Sequence, residues 1–233
     1  MRKRKYRKNN LYTLFISLLF ALIFTIYTNL ENKEIVSYSK DSIPVYNNET
    51  YIYLDNNEPN FSDDLKNTNS FEQYSDLDYL GRSGPALANI GTDLMPTKER
   101  ESIGSIRPSG WQISKYDFID GKYLYNRCHL IGYQLTGENK NEKNLITCTR
   151  YMNTKGMLEW ENKIASYIQK TSNHVLYRVT PYYKDDNLLA SGVEMEAYSI
   201  EDKGEGIKFH IYVYNVEPGV IINYKNGDNE KDG

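Results

Sequence analysis

The sequence predicts an α+β domain, on three observations: one amphipathic helix after Asn153, a β-rich C-terminal third, and a long Gly- and Pro-rich loop ahead of both. Length agrees, because 233 residues are enough for one domain with a real core and too few for two large ones.

Arg2, Lys3, Arg4, Lys5, Arg7 and Lys8 precede an apolar run from Leu11 to Tyr27. A basic head before such a run reads as an export sequence, and so many cations beside it argue against a buried core helix. The run is longer than most signal-peptide cores and a little short of the roughly 20 residues that span a bilayer comfortably. No small-x-small cleavage site follows, since the chain continues Thr28-Asn29-Leu30-Glu31. The expectation is therefore an uncleaved membrane anchor over residues 1–30, basic end in the cytoplasm and domain outside. Cleavage would make the same domain secreted.

Residues 31–42 are polar and read as a tether, with the domain over 43–224 and a charged, frayed tail over 225–233. Ile43 to Tyr46 and Tyr51 to Leu54 read as extended segments joined by a turn at Asn47-Asn48. Leu80 to Trp111 carries Gly81, Gly84, Pro85, Gly91, Pro96, Gly104, Pro108 and Gly110, and is expected to be irregular loop with short extended pieces. Tyr123 to Tyr125 and Asn144 to Thr149 read as short strands. Met157, Trp160, Ile164, Ala165 and Ile168 then recur at helical spacing. Val175 to Val179, Leu188 to Ala197 and Ile207 to Val216 are β-rich, with turn signals between them, and should form an antiparallel sheet.

Charge bounds the partners. After position 30 the chain has 22 basic and 31 acidic residues, a formal −9, whereas nucleic-acid binders usually look basic. Residues 95–160 reverse the balance, with ten Lys or Arg against seven Asp or Glu. A locally positive cleft on an acidic body suits an enzyme that must release a polyanionic product. Cys128 and Cys148 are the only cysteines; both a disulfide, which an exported domain keeps, and two buried thiols fit them.

The chemistry concentrates in Tyr125-Asn126-Arg127-Cys128-His129-Leu130, then Asn144, Arg150-Tyr151-Met152-Asn153 and Glu161. Phosphodiester hydrolysis needs a base for water, positive charge on the phosphorane oxygens and a cation for the leaving alkoxide. His, Arg and a metal-bound amide supply all three. In order and spacing the segment resembles the DNA/RNA non-specific endonucleases of the ββα-metal (His-Me finger) type, whose signature is Asp-Arg-Gly-His, and within them the secreted or membrane-anchored nucleases of Gram-positive bacteria. The resemblance covers roughly residues 43–224, and includes Asn89-Ile90-Gly91, Pro108-Ser109-Gly110-Trp111 and Asn141-Glu142-Lys143-Asn144-Leu145.

The resemblance implies a ββα-metal fold with a mixed or antiparallel sheet core and a catalytic hairpin-and-helix unit at about 120–170. It makes His129 the general base, Asn153 the one direct ligand of Mg2+ (Mn2+ being an alternative), Asn144 a supporting residue and Glu161 the residue that completes the site. Arg127 would offset charge on the phosphoryl oxygens, and products would carry 5′-phosphates. Magnesium keeps most of its waters and often takes only one or two protein ligands, so no carboxylate cluster is needed. Two positions depart from the signature: Asn126 stands for its Asp and Cys128 for its Gly.

Blander readings compete. Asn153 also suits a helix cap, Glu161 a solvated helix position, and Arg150 either a phosphate contact or closure of its loop. His174 and His210 are expected to be structural or surface residues, His210 on the outer face of a strand with Lys208 and Tyr212. Trp111, Tyr116 and Tyr123 suit packing more than base stacking. Gly132 and Gly137 do not make a phosphate loop, because Glu138 and Asn139 stand where Lys and Ser or Thr are required. No Gly-x-Ser-x-Gly or Cys-x-x-Cys pattern supports a serine hydrolase or a zinc site. The function expected is an exported, metal-dependent endonuclease acting on DNA without reading sequence, with RNA left open as a further substrate and no protein partner indicated. The alternatives are a catalytically silent surface module that binds nucleic acid or cell-wall polymer, and a phosphodiesterase for small substrates.

Overall fold

The structure, a computed structural model, describes residues 14–20 and 36–233. Residues 14–20 are helical and fall in a unit separate from the one formed by Val36–Gly233. The basic head, the rest of the apolar run and the first half of the tether lie outside the described residues. Among those described, no helix is long and apolar enough to cross a membrane.

Residues 36–233 form a mixed α+β fold. Its strands are β1 (Ser37–Tyr38), β2 (Tyr51–Leu54), β3 (Phe71–Tyr74), β4 (Ala86–Ile90), β5 (Tyr125–His129), β6 (Leu145–Thr149), β7 (Val175–Tyr182), β8 (Gly192–Ser199), β9 (Lys208–Tyr214), β10 (Val220–Ile222) and β11 (Asn229–Lys231). Helix α1 is Tyr133–Thr136, and α2, Leu158–Thr171, follows a π-helical turn at Met152–Met157. Seven strands form one sheet in the order β1-β2-β9-β8-β7-β4-β3, antiparallel except at β1–β2. β5–β6 and β10–β11 are separate antiparallel hairpins.

Alternation decides which face of the sheet is covered. Val193, Met195 and Ala197 of β8 and Phe209, Ile211 and Val213 of β9 point to one side, where they join Trp160, Ile164 and Ile168 of α2 and Ile146 of β6 in the main core. The hairpin and helix are thus seated on the sheet by burial of apolar surface. Asn215, fully buried just after β9, adds directional bonds. Its Oδ1 accepts from Thr149 N at 2.9 Å, and its Nδ2 donates to Ala190 O at 2.8 Å and Thr147 O at 3.2 Å. The end of β6 is therefore pinned to the sheet where the π-helical turn begins.

Several expectations change. Ile43 to Tyr46 forms no strand; Ser37–Tyr38, inside the expected tether, pairs with β2 instead. The Gly- and Pro-rich loop contains a full sheet strand, β4, whose partner β3 carried no clear alternation in the sequence. The expected frayed tail contains β11, and Gly227 O accepts a 2.9 Å bond from the Tyr125 hydroxyl. His210 does alternate with the core residues, yet it is 1% exposed, because residues 55–60 cover that side. There Glu194 accepts from its Nε2 and Glu58 O from its Nδ1, while Arg178 pairs with Glu196.

Cys128 and Cys148 are joined in a disulfide, both sulfurs inside the main core. In the chain-entropy picture, closing a loop of this size contributes about 3 kcal/mol. Thermal unfolding with and without reductant should therefore differ by several degrees in Tm, with two thiols titrating only after reduction. Equal melting temperatures would refute the stabilisation.

Candidate active site

Strand β5 presents two faces. Asn126 and Cys128 turn toward the core side of the hairpin, and Tyr125, Arg127 and His129 toward the other. Cys128 has ordinary strand geometry, so the glycine of the signature is not needed here for backbone reasons. Both departures from the signature therefore lie behind the strand, away from the imidazole.

His129 is 7% exposed. Its Nε2 lies 3.0 Å from Asn139 O and its Nδ1 3.2 Å from Arg100 Nη2. A carbonyl can only accept and a guanidinium can only donate, so the proton sits on Nε2 and Nδ1 carries the lone pair. Burial depresses the imidazole pKa from 6.5 to about 4; the Asn139 bond opposes this and the Arg100 charge adds to it. The ring is a neutral, oriented proton acceptor.

Asn144 holds the chain just beyond it. Fully buried, it accepts from Ile131 N at 2.9 Å and donates to Ile131 O at 3.0 Å, while its own carbonyl accepts from Leu130 N at 2.9 Å. With its amide engaged on both sides it suits orientation of the 129–132 segment. Asn153 is half-buried, in the π-helical turn that follows β6. Single π turns inside helices are frequent at functional sites.

Glu161 is buried against Gly132, three residues past His129. A Cβ on Gly132 would stand 2.5 Å from Glu161 Oε2, so only glycine admits the carboxylate there. Burial pushes Glu161 from 4.5 up to about 8, although the Gly132 backbone bond and Arg100 pull the other way, and Oε1 has no hydrogen-bond partner among the described residues. A buried carboxylate in this condition suits a cation or the donor hydrogens of a cation's waters. The residues present fit a hydrated divalent ion.

Other sequence expectations separate from this cluster. Arg127 donates to Ile106 O at 2.5 Å and Gly104 O at 2.9 Å, and its guanidinium stacks 3.9 Å over Trp111. It braces the loop before β5, and a phosphate would have to compete with two carbonyls for it. Arg150 pairs with Asp120 at 2.7 Å, the loop-closing arrangement. Arg100, which touches His129 directly, was not singled out in the sequence. Its only signal was the charged run Lys98-Glu99-Arg100-Glu101 inside a Gly- and Pro-rich loop. The one grouping of His and carboxylates among the described residues that could hold a metal is Glu194, Glu196 and His210, on the opposite side of the sheet. Its groups are already paired with one another and with Tyr182 and Arg178.

A hairpin that carries a buried histidine, followed by a helix, on a mixed sheet defines the ββα-metal nuclease fold. The family described as DNA/RNA non-specific endonuclease matches residues 59–201, and the chain belongs to it. Among solved structures, NucA from Streptococcus agalactiae with no metal bound is similar at a TM-score of 0.70 and 22% identity, over 88% of this chain and 95% of that one. The magnesium-bound form of NucA gives 0.66 and 23%, over 76% and 84%. Sda1 nuclease with bound zinc gives 0.58 and 29%, over 67% and 79%. No curated protein sequence matches the chain. The protein is a nuclease that acts on nucleic acid.

Gly132→Ala should displace the Glu161 carboxylate at an overpacking cost of about 1–3 kcal/mol. Cleavage should fall most at limiting divalent ion, with the circular dichroism spectrum retained. Parent-level cleavage at every ion concentration would show that the contact is packing alone.

Proposed function

We propose that the protein is an exported endonuclease that cuts DNA and RNA without reading their sequence, depends on a divalent metal, and uses His129 as general base. The observation that carries this reading is the Nε2 bond to Asn139 O, which leaves Nδ1 as acceptor on an imidazole kept neutral by burial. Family membership and the fold shared with NucA support it.

His129 Nδ1 takes a proton from water, whose oxygen attacks phosphorus as the bond to the 3′ oxygen breaks, leaving a 5′-phosphate and a 3′ alkoxide that takes its proton from solvent water to become a hydroxyl. Asn153 and Glu161 would hold magnesium, Asn153 directly and Glu161 through waters. When bound, the ion supplies positive charge to the phosphate and the departing oxygen. Asn144 keeps the base-bearing segment in place. Arg127 lends charge to the site while holding its loop, and Arg150 contributes through that loop or by meeting a neighbouring phosphate. A magnesium-bound NucA and a zinc-bound Sda1 make the choice of metal a matter for titration, with manganese also included.

Export rests on the basic head and apolar run, and structural neighbours described as an extracellular endonuclease and an extracellular nuclease favour it. The arrangement proposed is a head and anchor over 1–30, a tether over 31–42, a nuclease domain over 43–224 and a charged end over 225–233. A silent binding module is the second reading, prompted by Asn126 and Cys128. It is weakened because both residues face away from His129.

Supercoiled plasmid and RNA, incubated with the purified full chain and magnesium, should both be cut, and chelator should stop the reaction. His129→Ala should lose about 10²- to 10⁴-fold in rate with folding intact. On the acid side kcat/KM should hold well below pH 6.5 and fall near pH 4, where the buried imidazole takes up its proton. Cleavage by His129→Ala at the parent rate would end this reading.

Asn153→Ala should raise the magnesium concentration needed for half-maximal cleavage, and excess magnesium should restore only part of the rate, because the ion is misplaced as well as weakly held. An unchanged magnesium profile would leave Asn153 a helix residue only.

A further inference from the structure

The loop ahead of β5 is fastened across the site at several points. Tyr133 Oη donates to Lys98 O at 2.7 Å and Asn139 Nδ2 to Glu101 O at 3.1 Å. Lys140 pairs with Glu101 at 3.0 Å, and Arg127 holds Gly104 and Ile106. Between these points Arg100 is set with Nη2 3.2 Å from His129 Nδ1. Since the tautomer places the only free lone pair of the ring on Nδ1, the guanidinium occupies the very electron pair that must take a proton from water.

The contact is replaceable by construction. A neutral imidazole is a weaker partner for a guanidinium than an anionic phosphodiester, which accepts two parallel, charge-assisted bonds. Arg100 is otherwise exposed and enters no ion pair among the described residues, so the imidazole contact is the one side-chain hydrogen bond to be given up. We propose that Arg100 is a substrate-displaced cap on the catalytic base: a phosphodiester entering the site draws the guanidinium onto its oxygens and thereby frees Nδ1. The base then becomes available only when a phosphate is in place. This inference rests on His129 being the base.

The test uses the full chain in detergent, labelled with 15N-histidine, at neutral pH with chelator so that nothing is cut. The His129 resonances are assigned by their loss in His129→Ala. Saturating phosphodiester duplex should move the Nδ1 resonance downfield as it loses its donor, and an uncharged methylphosphonate duplex of the same sequence should not. In Arg100→Ala and Arg100→Gln the resonance should already be downfield without DNA and stay there, and KM for plasmid should rise at least tenfold. The cap is overturned if the parent and Arg100→Gln resonances coincide without DNA, or if the phosphodiester leaves the parent resonance unmoved. These results are separate from failure of the base assignment, which would appear as parent-rate cleavage by His129→Ala and would remove the cap with it.

Discussion

Burial of the β5–β6 hairpin and α2 against one face of the seven-stranded sheet is the constraint on which the rest of the molecule depends. A strand has only two faces, so committing Cys128 to this core turns Arg127 and His129 toward the loops. Those loops then supply what the core cannot. Asn139 fixes the tautomer of His129, Asn144 fixes the segment after it, and the 98–106 stretch closes over the top. Rigid scaffold and chemically active loop are divided along a single strand.

Burial also sets opposing charge preferences within a few residues. The unfolded chain takes up a proton on His129 near pH 6.5 and the folded one only near 4, so this group's contribution to stability is lost as pH falls through that window. Glu161 acts in the other direction: its folded pKa of about 8 exceeds 4.5, so its contribution is lost as pH rises between them. The folded state thus keeps a neutral imidazole beside a protonated carboxyl, and between pH 4.5 and 6.5 both groups oppose folding, because the unfolded chain charges each of them. A bound cation that ionises Glu161 would lower its folded pKa and remove the loss on the alkaline side.

Much of the fold was legible because its signals are local. Met157, Trp160, Ile164, Ala165 and Ile168 show the helix by their spacing, and β7, β8 and β9 by β-branched and aromatic content. Hidden features depend on what lies across the chain. Phe71–Tyr74 becomes a strand only because β4 offers it an edge, and β4 itself is short and enclosed by Gly and Pro. His210 looked outward by alternation, and only the return of residues 55–60 over that face makes it buried. For the candidate site, His129, Asn144, Asn153 and Glu161 were named through a family resemblance carried by order and spacing. Arg100, Gly132 and Asn215 were not, since each acts through a partner at least 29 residues away, as Arg100 does on His129.

The cross-link between Cys128 and Cys148 joins strands whose pairing sets Cys128 opposite Ile146 and Asn126 opposite Cys148. Strand side chains alternate with a period of two, so sliding β5 by a single residue would carry His129 into the apolar interior and expose a cysteine. A covalent tie to the neighbouring strand forbids that slip. The bond one residue from the imidazole therefore keeps count along the strand, and it decides which side chains turn to the core and which to the loops.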